Sequence, residues 1–243
     1  MPIRAVAAPA LPALRDCLRA WRRRASRATA RRAIPALWKG FRAAPCGKAW
    51  YEALLSCYGK RCVYCDHSPA RTLDHRRPKA RRITAVFDWA NWAGCCGDCN
   101  RRKGSTGGLI DPYVDDPRHF FAFDVVTGSP DVLPTLAPRH RQRAEKTLRI
   151  LDLDHQVLTD ARRAKCRVFL IALTALAADP SEVNRAAVQK HLTTAEPHRA
   201  ILRDLILQDD ALLNPHLAVV TTARGHMPEL VAWAEQPPTL AGP

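Results

Sequence analysis

Apolar residues at helical spacing mark out most of the chain. Leu11, Leu14, Leu18 and Trp21 share one face of a basic helix predicted over 11–32, and a second helix is expected around 47–58. The pattern then breaks over 60–108, a cysteine-rich, glycine-containing module. A Pro/Asp-rich loop, LIDPYVDDP at 109–117, and the short apolar stretch HFFAFDVV follow it, and Pro130, Pro134 and Pro138 mark another loop. Helical periodicity returns near residue 139. Ala144, Leu148 and Leu151 lie on one face of RQRAEKTLRILDL, and further helices are expected over 157–178, 181–194 and 196–213. Asp179-Pro180-Ser181 stops one helix and starts the next, with Ser181 placed to cap it. The tail EQPPTLAGP is expected to be disordered. No internal repeat is visible.

Charge changes this picture more than composition does. The 243 residues, 47% of them hydrophobic, can bury a core as one large domain or two small ones. A net charge of +15 and a pI near 9.9 point to a polyanionic partner. The charge is uneven: residues 1–50 carry twelve Arg/Lys against the single acid Asp16, whereas 179–243 carry eight acids against five Arg/Lys. One end is therefore expected to face the polyanion and the other not. The longest apolar run, VFLIALTALAA at 168–178, is about half the roughly 20 residues that span a bilayer, so it reads as a buried helix with no membrane partner. The Arg- and Ala-rich N-terminus has the composition of a transit peptide, but both residues are abundant along the whole chain. No secretory signal is evident. Nine cysteines without one suit a reducing, cytoplasmic setting, where clustered cysteines mean metal before disulfide.

Two such clusters stand out. Cys62-Val63-Tyr64-Cys65 and Cys96-Gly97-Asp98-Cys99 are CxxC knuckles separated by thirty residues, and together they supply four thiolates to one tetrahedral Zn²⁺. The gap exceeds the 15–20 residues of simple zinc ribbons, so a sizeable element sits between them. Cys95 is an alternative ligand to Cys96, which is preferred because its spacing matches the first pair. Zinc closed by four thiolates has no open position, so any chemistry must lie in the intervening residues. Cys17, Cys46, Cys57 and Cys166 read as buried free thiols.

Those intervening residues include LDHRRPKARR at 73–82, basic at five of ten positions yet opening on a carboxylate. Phosphodiester hydrolysis explains the combination. It needs an activated water, a cation for the charge on the leaving oxygen and a base held in place. His75 suits the base near neutral pH. The Asp74 carboxylate and the Asn100 amide oxygen suit a hard Mg²⁺ or Mn²⁺ that keeps most of its waters. Asp74 then meets the phosphate through the ion.

The stretch CVYC…LDHRRPK…FDWANW…CGDCNRRKG resembles the HNH (ββα-metal) endonuclease module in its zinc-stapled form. The resemblance implies an α+β, mostly helical protein: a basic N-terminal helical region (1–58), a zinc-stapled nuclease core with an Asp-Pro loop (59–125) and a C-terminal helical region (139–235). It implies that His75, followed by Pro78, is the general base and that Asn91 holds the loop orienting it. It makes Asp74 and Asn100 ligands of the catalytic ion. Arg76, Arg77, Lys79, Arg101, Arg102 and Lys103 become contacts to nucleic acid, most readily DNA. Asn100 stands where the family often has a last His, and Trp92 where Leu is usual. LIDPYVDDPRHFFAFD at 109–124 and RAEKTLRILDLDHQVLTDARR at 143–163 extend the resemblance, over residues 50–163, to the PtuB-type HNH subunit of Septu and retron-associated anti-phage systems. That implies an ABC-type ATPase partner and, in the retron setting, a reverse transcriptase with its DNA–RNA product. The alternative is a zinc-stapled nucleic-acid-binding or assembly subunit without catalysis; the complete set Asp74, His75, Asn91 and Asn100 favours the nuclease.

Overall fold

The computed structural model describes residues 12–27, 31–57, 61–78, 83–193 and 197–235. Three helices open it: α1 (Pro12–Ser26), α2 (Ile34–Ala43) and α3 (Pro45–Cys57). The predicted helix over 11–32 therefore ends sooner, and α2, which the sequence reading did not anticipate, follows it. Its signature is Ile34, Trp38 and Phe41 on one face, all buried, with Pro35 in the first turn where a missing N–H costs nothing. Gly47 lets α3 start beside the end of α2: a Cβ there would lie 1.9 Å from the Phe41 carbonyl oxygen.

A small antiparallel sheet comes next. Strand β1 (Thr72–His75) pairs with β2 (Trp92–Cys95), placing Thr72 opposite Cys95 and His75 opposite Trp92. Helix α4 (Gly97–Lys103) leaves the end of β2 directly, and a second two-stranded sheet joins β3 (Phe121–Phe123) to β4 (Pro130–Val132). The remainder is helical: α5 (Pro138–Leu151), α6 (Gln156–Ala178), α7 (Glu182–His191), α8 (Arg199–Leu207), α9 (Leu217–His226) and α10 (Glu229–Glu235). The whole is a mostly helical α+β protein. Ser181 occupies the N-cap of α7, but its side chain makes no capping bond. Among the described residues, no helix is long and apolar enough to cross a membrane. The tail after Glu235 lies outside the described residues.

Two cores organise the chain. The first runs from Leu18 through Trp38, Trp50, Phe87 and Trp92 to Leu151 and Leu158, so the N-terminal helices and α5 share one interior with the first sheet. The second gathers Phe123, Phe169, Leu173, Leu205 and Leu230 around α6. Arg162 joins them. Its buried guanidinium donates to the carbonyls of Leu153 at 2.8 Å and Gly128 at 3.2 Å and lies over the Phe123 ring.

One cysteine expectation is corrected. Cys17 and Cys46 are not free thiols but form a disulfide between α1 and α3, where their Cα atoms approach to 6.4 Å. Cys166 is a buried free thiol, pushed up to about 12 mainly by burial. The Cys57 side chain lies outside what is described.

The two cores also meet at His67 and His198, whose Nδ1 and Nε2 atoms are 3.1 Å apart, so one ring donates and the other accepts. Burial first, then the Arg162 charge, holds His198 down to about 3. An ordinary unfolded histidine takes its proton near 6.5. The stability this neutral ring contributes is therefore complete above about pH 6.5 and is lost as pH falls toward 3. Between pH 7 and 5.5 unfolding should become easier by about 1 kcal/mol on this account. Chemical denaturation should show that slope reduced in His198→Asn, since Asn tolerates the φ of 59° at this position. An unchanged slope contradicts the assignment.

Candidate active site and metal centre

The two knuckles converge. The turn holding Cys62 and Cys65 lies against β2, with the Val63 N–H donating to the Gly94 carbonyl and the Cys62 N–H to the Ser68 carbonyl. The second knuckle opens α4: Cys96 is its N-cap, and its sulfur accepts the Cys99 N–H at 3.4 Å. The sulfurs of Cys62, Cys65, Cys96 and Cys99 all lie within 4.8 Å of one another, and all four residues are buried. Ligands about 2.3 Å from a tetrahedral zinc sit about 3.8 Å apart; Cys65 and Cys96 are 4.0 Å apart. The four cysteines are therefore able to hold one zinc ion. Cys95 is outside the group. Its sulfur meets the Thr72 hydroxyl at 3.3 Å, and burial pushes its thiol up to about 12.

His75 ends β1 and is 3% exposed, enclosed by aromatic rings. Trp38 meets it edge-on at 4.6 Å. His75 Nε2 lies 2.9 Å from the Val86 carbonyl oxygen, which also accepts the Trp92 indole N–H at 2.8 Å. A carbonyl can only accept, so Nε2 carries the ring proton and Nδ1 is the basic nitrogen of the neutral ring. Asn91 braces the loop that leaves β1. Its oxygen accepts the Arg77 N–H at 2.8 Å, and its amide donates to the carbonyls of Arg77 and Ala85 at 3.0 Å each. Trp92 thus shares its acceptor with the histidine and packs edge-on against its ring.

Asp74 and Asn100 reach the same space: Asp74, His75, Pro78 and Asn100 line one cavity of about 420 Å³. The Asn100 amide donates to the Thr72 hydroxyl at 3.1 Å, turning its oxygen into the available acceptor. Asp74, only 4% exposed, is already engaged. Its Oδ2 accepts from the Tyr64 hydroxyl at 2.6 Å and pairs with Lys103 Nζ at 2.9 Å, while Oδ1 accepts from Lys103 at 3.1 Å. Tyr64, held well above its ordinary range by burial and by Asp74, stays a donor. An ionised carboxylate has about four acceptor positions, so one remains. The donor types fit a hard divalent cation. The charge does not favour one alone, because Lys103 cancels Asp74; the fit is to a cation that a phosphate also binds.

Several residues read as phosphate contacts are engaged by partners within the fold. Lys103 is 3% exposed and spends its third contact on the His75 carbonyl at 2.8 Å. Arg76 pairs with Asp111 at 2.5 Å, donates to the Ala90 carbonyl and lies over the Tyr113 ring, tying the Asp-Pro loop to the site. Arg102 pairs with Asp152 at the end of α5 at 2.6 Å. Arg101, 75% exposed and paired only with Asp98, remains accessible, as does Arg77. Lys79 lies outside the described residues. Tyr64, Trp38 and Arg42 were not singled out in the sequence; the one signal was an aromatic hydroxyl held inside the first knuckle.

With this geometry in hand, the sequence matches no protein-family model. Over 81 residues it is 32% identical to the Septu protein PtuB of Bacillus thuringiensis, a match covering 29% of this chain and 32% of that protein. The chain thus spans about a third of the length of the curated relative it matches. The similarity supports a Septu-like defence relationship.

Lys103→Met should leave the Asp74 charge buried without its partner and cost about 3–5 kcal/mol of stability. Equilibrium denaturation checks this, and a loss below about 1 kcal/mol means the pair is not formed in solution.

Proposed function

We propose that the chain is a metal-dependent HNH endonuclease that hydrolyses phosphodiester bonds of DNA, and that it is the nuclease subunit of a Septu-like anti-phage complex with an ABC-type ATPase. One observation carries the reading: a histidine with its Nε2 proton committed to a backbone carbonyl shares a cavity with a carboxylate and an amide oxygen. In this reading Nδ1 of His75 takes a proton from the attacking water, and the Val86 carbonyl steadies the ring as it becomes charged. The oxygen attacks phosphorus as the P–O bond to the leaving oxygen breaks, and that oxygen is reprotonated from solvent. Asp74 and Asn100 hold the divalent ion, which when bound supplies positive charge for the leaving oxygen. Asn91 keeps the His75 loop in place, and Arg77 and Arg101 draw in the phosphate backbone.

A second reading, a binding or assembly subunit without catalysis, is favoured by the Asp74–Lys103 pair, which occupies most of the carboxylate. Plasmid cleavage with Mg²⁺ or Mn²⁺ decides between them, run with the chain alone and with any ABC-type ATPase encoded beside it. The nuclease reading expects cleavage that EDTA abolishes and that His75→Ala lowers by at least about 10²-fold. Zinc-loaded, folded protein that cuts nothing, yet binds DNA equally with and without His75→Ala, supports the second reading.

A further inference from the structure

Asp74 and His75 do not protrude; they lie on the floor of a cavity walled by Trp38 and Arg42 of α2. The cavity of about 420 Å³ above them adjoins a second of about 310 Å³ beside Lys48, Tyr51 and Thr72. Trp38, Arg42, Leu73 and Asn100 line both, so the two cavities share a wall and together form a channel. That wall belongs to the core. Trp38 packs on His75 and, at 5.5 Å, on Trp92, and the Trp50 indole donates to the Leu14 carbonyl on α1.

The channel lining combines charge with flat apolar faces. Arg42 and Lys48 are exposed cations of the lining, while Glu52 is the one carboxylate of the outer part. Tyr51 is half-buried along the same wall, near Trp38 and Leu73. Cations beside aromatic faces hold an unpaired strand well: the cations follow phosphates, and every base has a face that stacks. A duplex presents neither at this depth. Its bases stack on one another, and its edges are read by elements that protrude into a groove about 12 Å wide or narrower. Here the protein is the concave partner.

We propose that this channel takes a single nucleic-acid strand, or a locally unpaired segment, with Tyr51 as a stacking platform and the scissile phosphate over His75 and Asn100. The proposal rests on the nuclease reading for the position of that phosphate. Fluorescence anisotropy with the His75→Ala chain tests it without turnover, using a short labelled single strand and the same sequence as a blunt duplex. The single strand should bind at least about tenfold more tightly, and Tyr51→Ala should weaken it about tenfold while Tyr51→Phe preserves it. Lys48→Glu, at an exposed position away from the core, should also weaken the single strand. Duplex binding as tight as single-strand binding, or equal losses on both from Tyr51→Ala, overturns the proposal. Cleavage by the unsubstituted chain, alone and with any ABC-type ATPase encoded beside it, separates the two ideas. Metal- and His75-dependent cutting of duplex, with the single strand spared, ends the strand preference and leaves the nuclease. Tyr51-dependent single-strand binding without cutting of either substrate ends the nuclease reading and leaves the strand preference.

Discussion

Cys62 and Cys65 sit on a turn with little regular structure around it, and Cys96 and Cys99 sit where a short strand becomes a short helix. Neither piece is large enough to persist alone. The sheet between them has two strands of four residues, below what holds together in water unaided. A zinc ion held by the four buried sulfurs would change that, because structural zinc contributes on the order of 10 kcal/mol of folding free energy in small domains. Once the knuckles are joined, β1 must lie beside β2, and Asp74, His75 and Asn100 have only one place to be.

Around that staple, the first core meets a demand set by polar groups. His75, Asp74, Asn91 and Lys103 are all buried, and His75 Nε2, the Asp74 carboxylate, the Asn91 amide and the Lys103 ammonium are hydrogen-bonded within the fold. Trp38 and Trp92 pack edge-on against the histidine ring, while the Val86 carbonyl sets its tautomer. The N-terminal helices are consequently part of the site. Their arginines give the chain its basic end, but Trp38 on their apolar face packs against His75. The Asp-Pro loop is drawn in by the same logic, through Arg76, Asp111 and Tyr113.

Much of this was legible in the residues. The four-cysteine group follows from the spacing of the two knuckles alone. The long helices after residue 138 show in their periodicity. What was hidden depends on partners far along the chain. Nothing local distinguishes Lys103, buried against Asp74 twenty-nine residues earlier, from exposed Arg101 two positions away. Arg76 reads as a phosphate contact until Asp111 is placed beside it. Helix α2 was obscured by Pro35, Gly40 and Pro45, although its apolar spacing is regular. Helices α9 and α10 are short and weakly periodic, with Pro228 between them, so pattern alone does not separate them from loop. The Cys17–Cys46 pair required the packing of α1 on α3, which no spacing rule encodes.

The claim on which the rest stands is that the two knuckles close on a single zinc. X-ray absorption at the zinc edge on the purified chain, with metal content measured alongside, addresses it directly. The account predicts one zinc per chain with four sulfur neighbours at about 2.3 Å and no nitrogen or oxygen in the first coordination sphere. Nitrogen or oxygen neighbours at about 2.0–2.1 Å, or a folded chain without stoichiometric zinc, would contradict it.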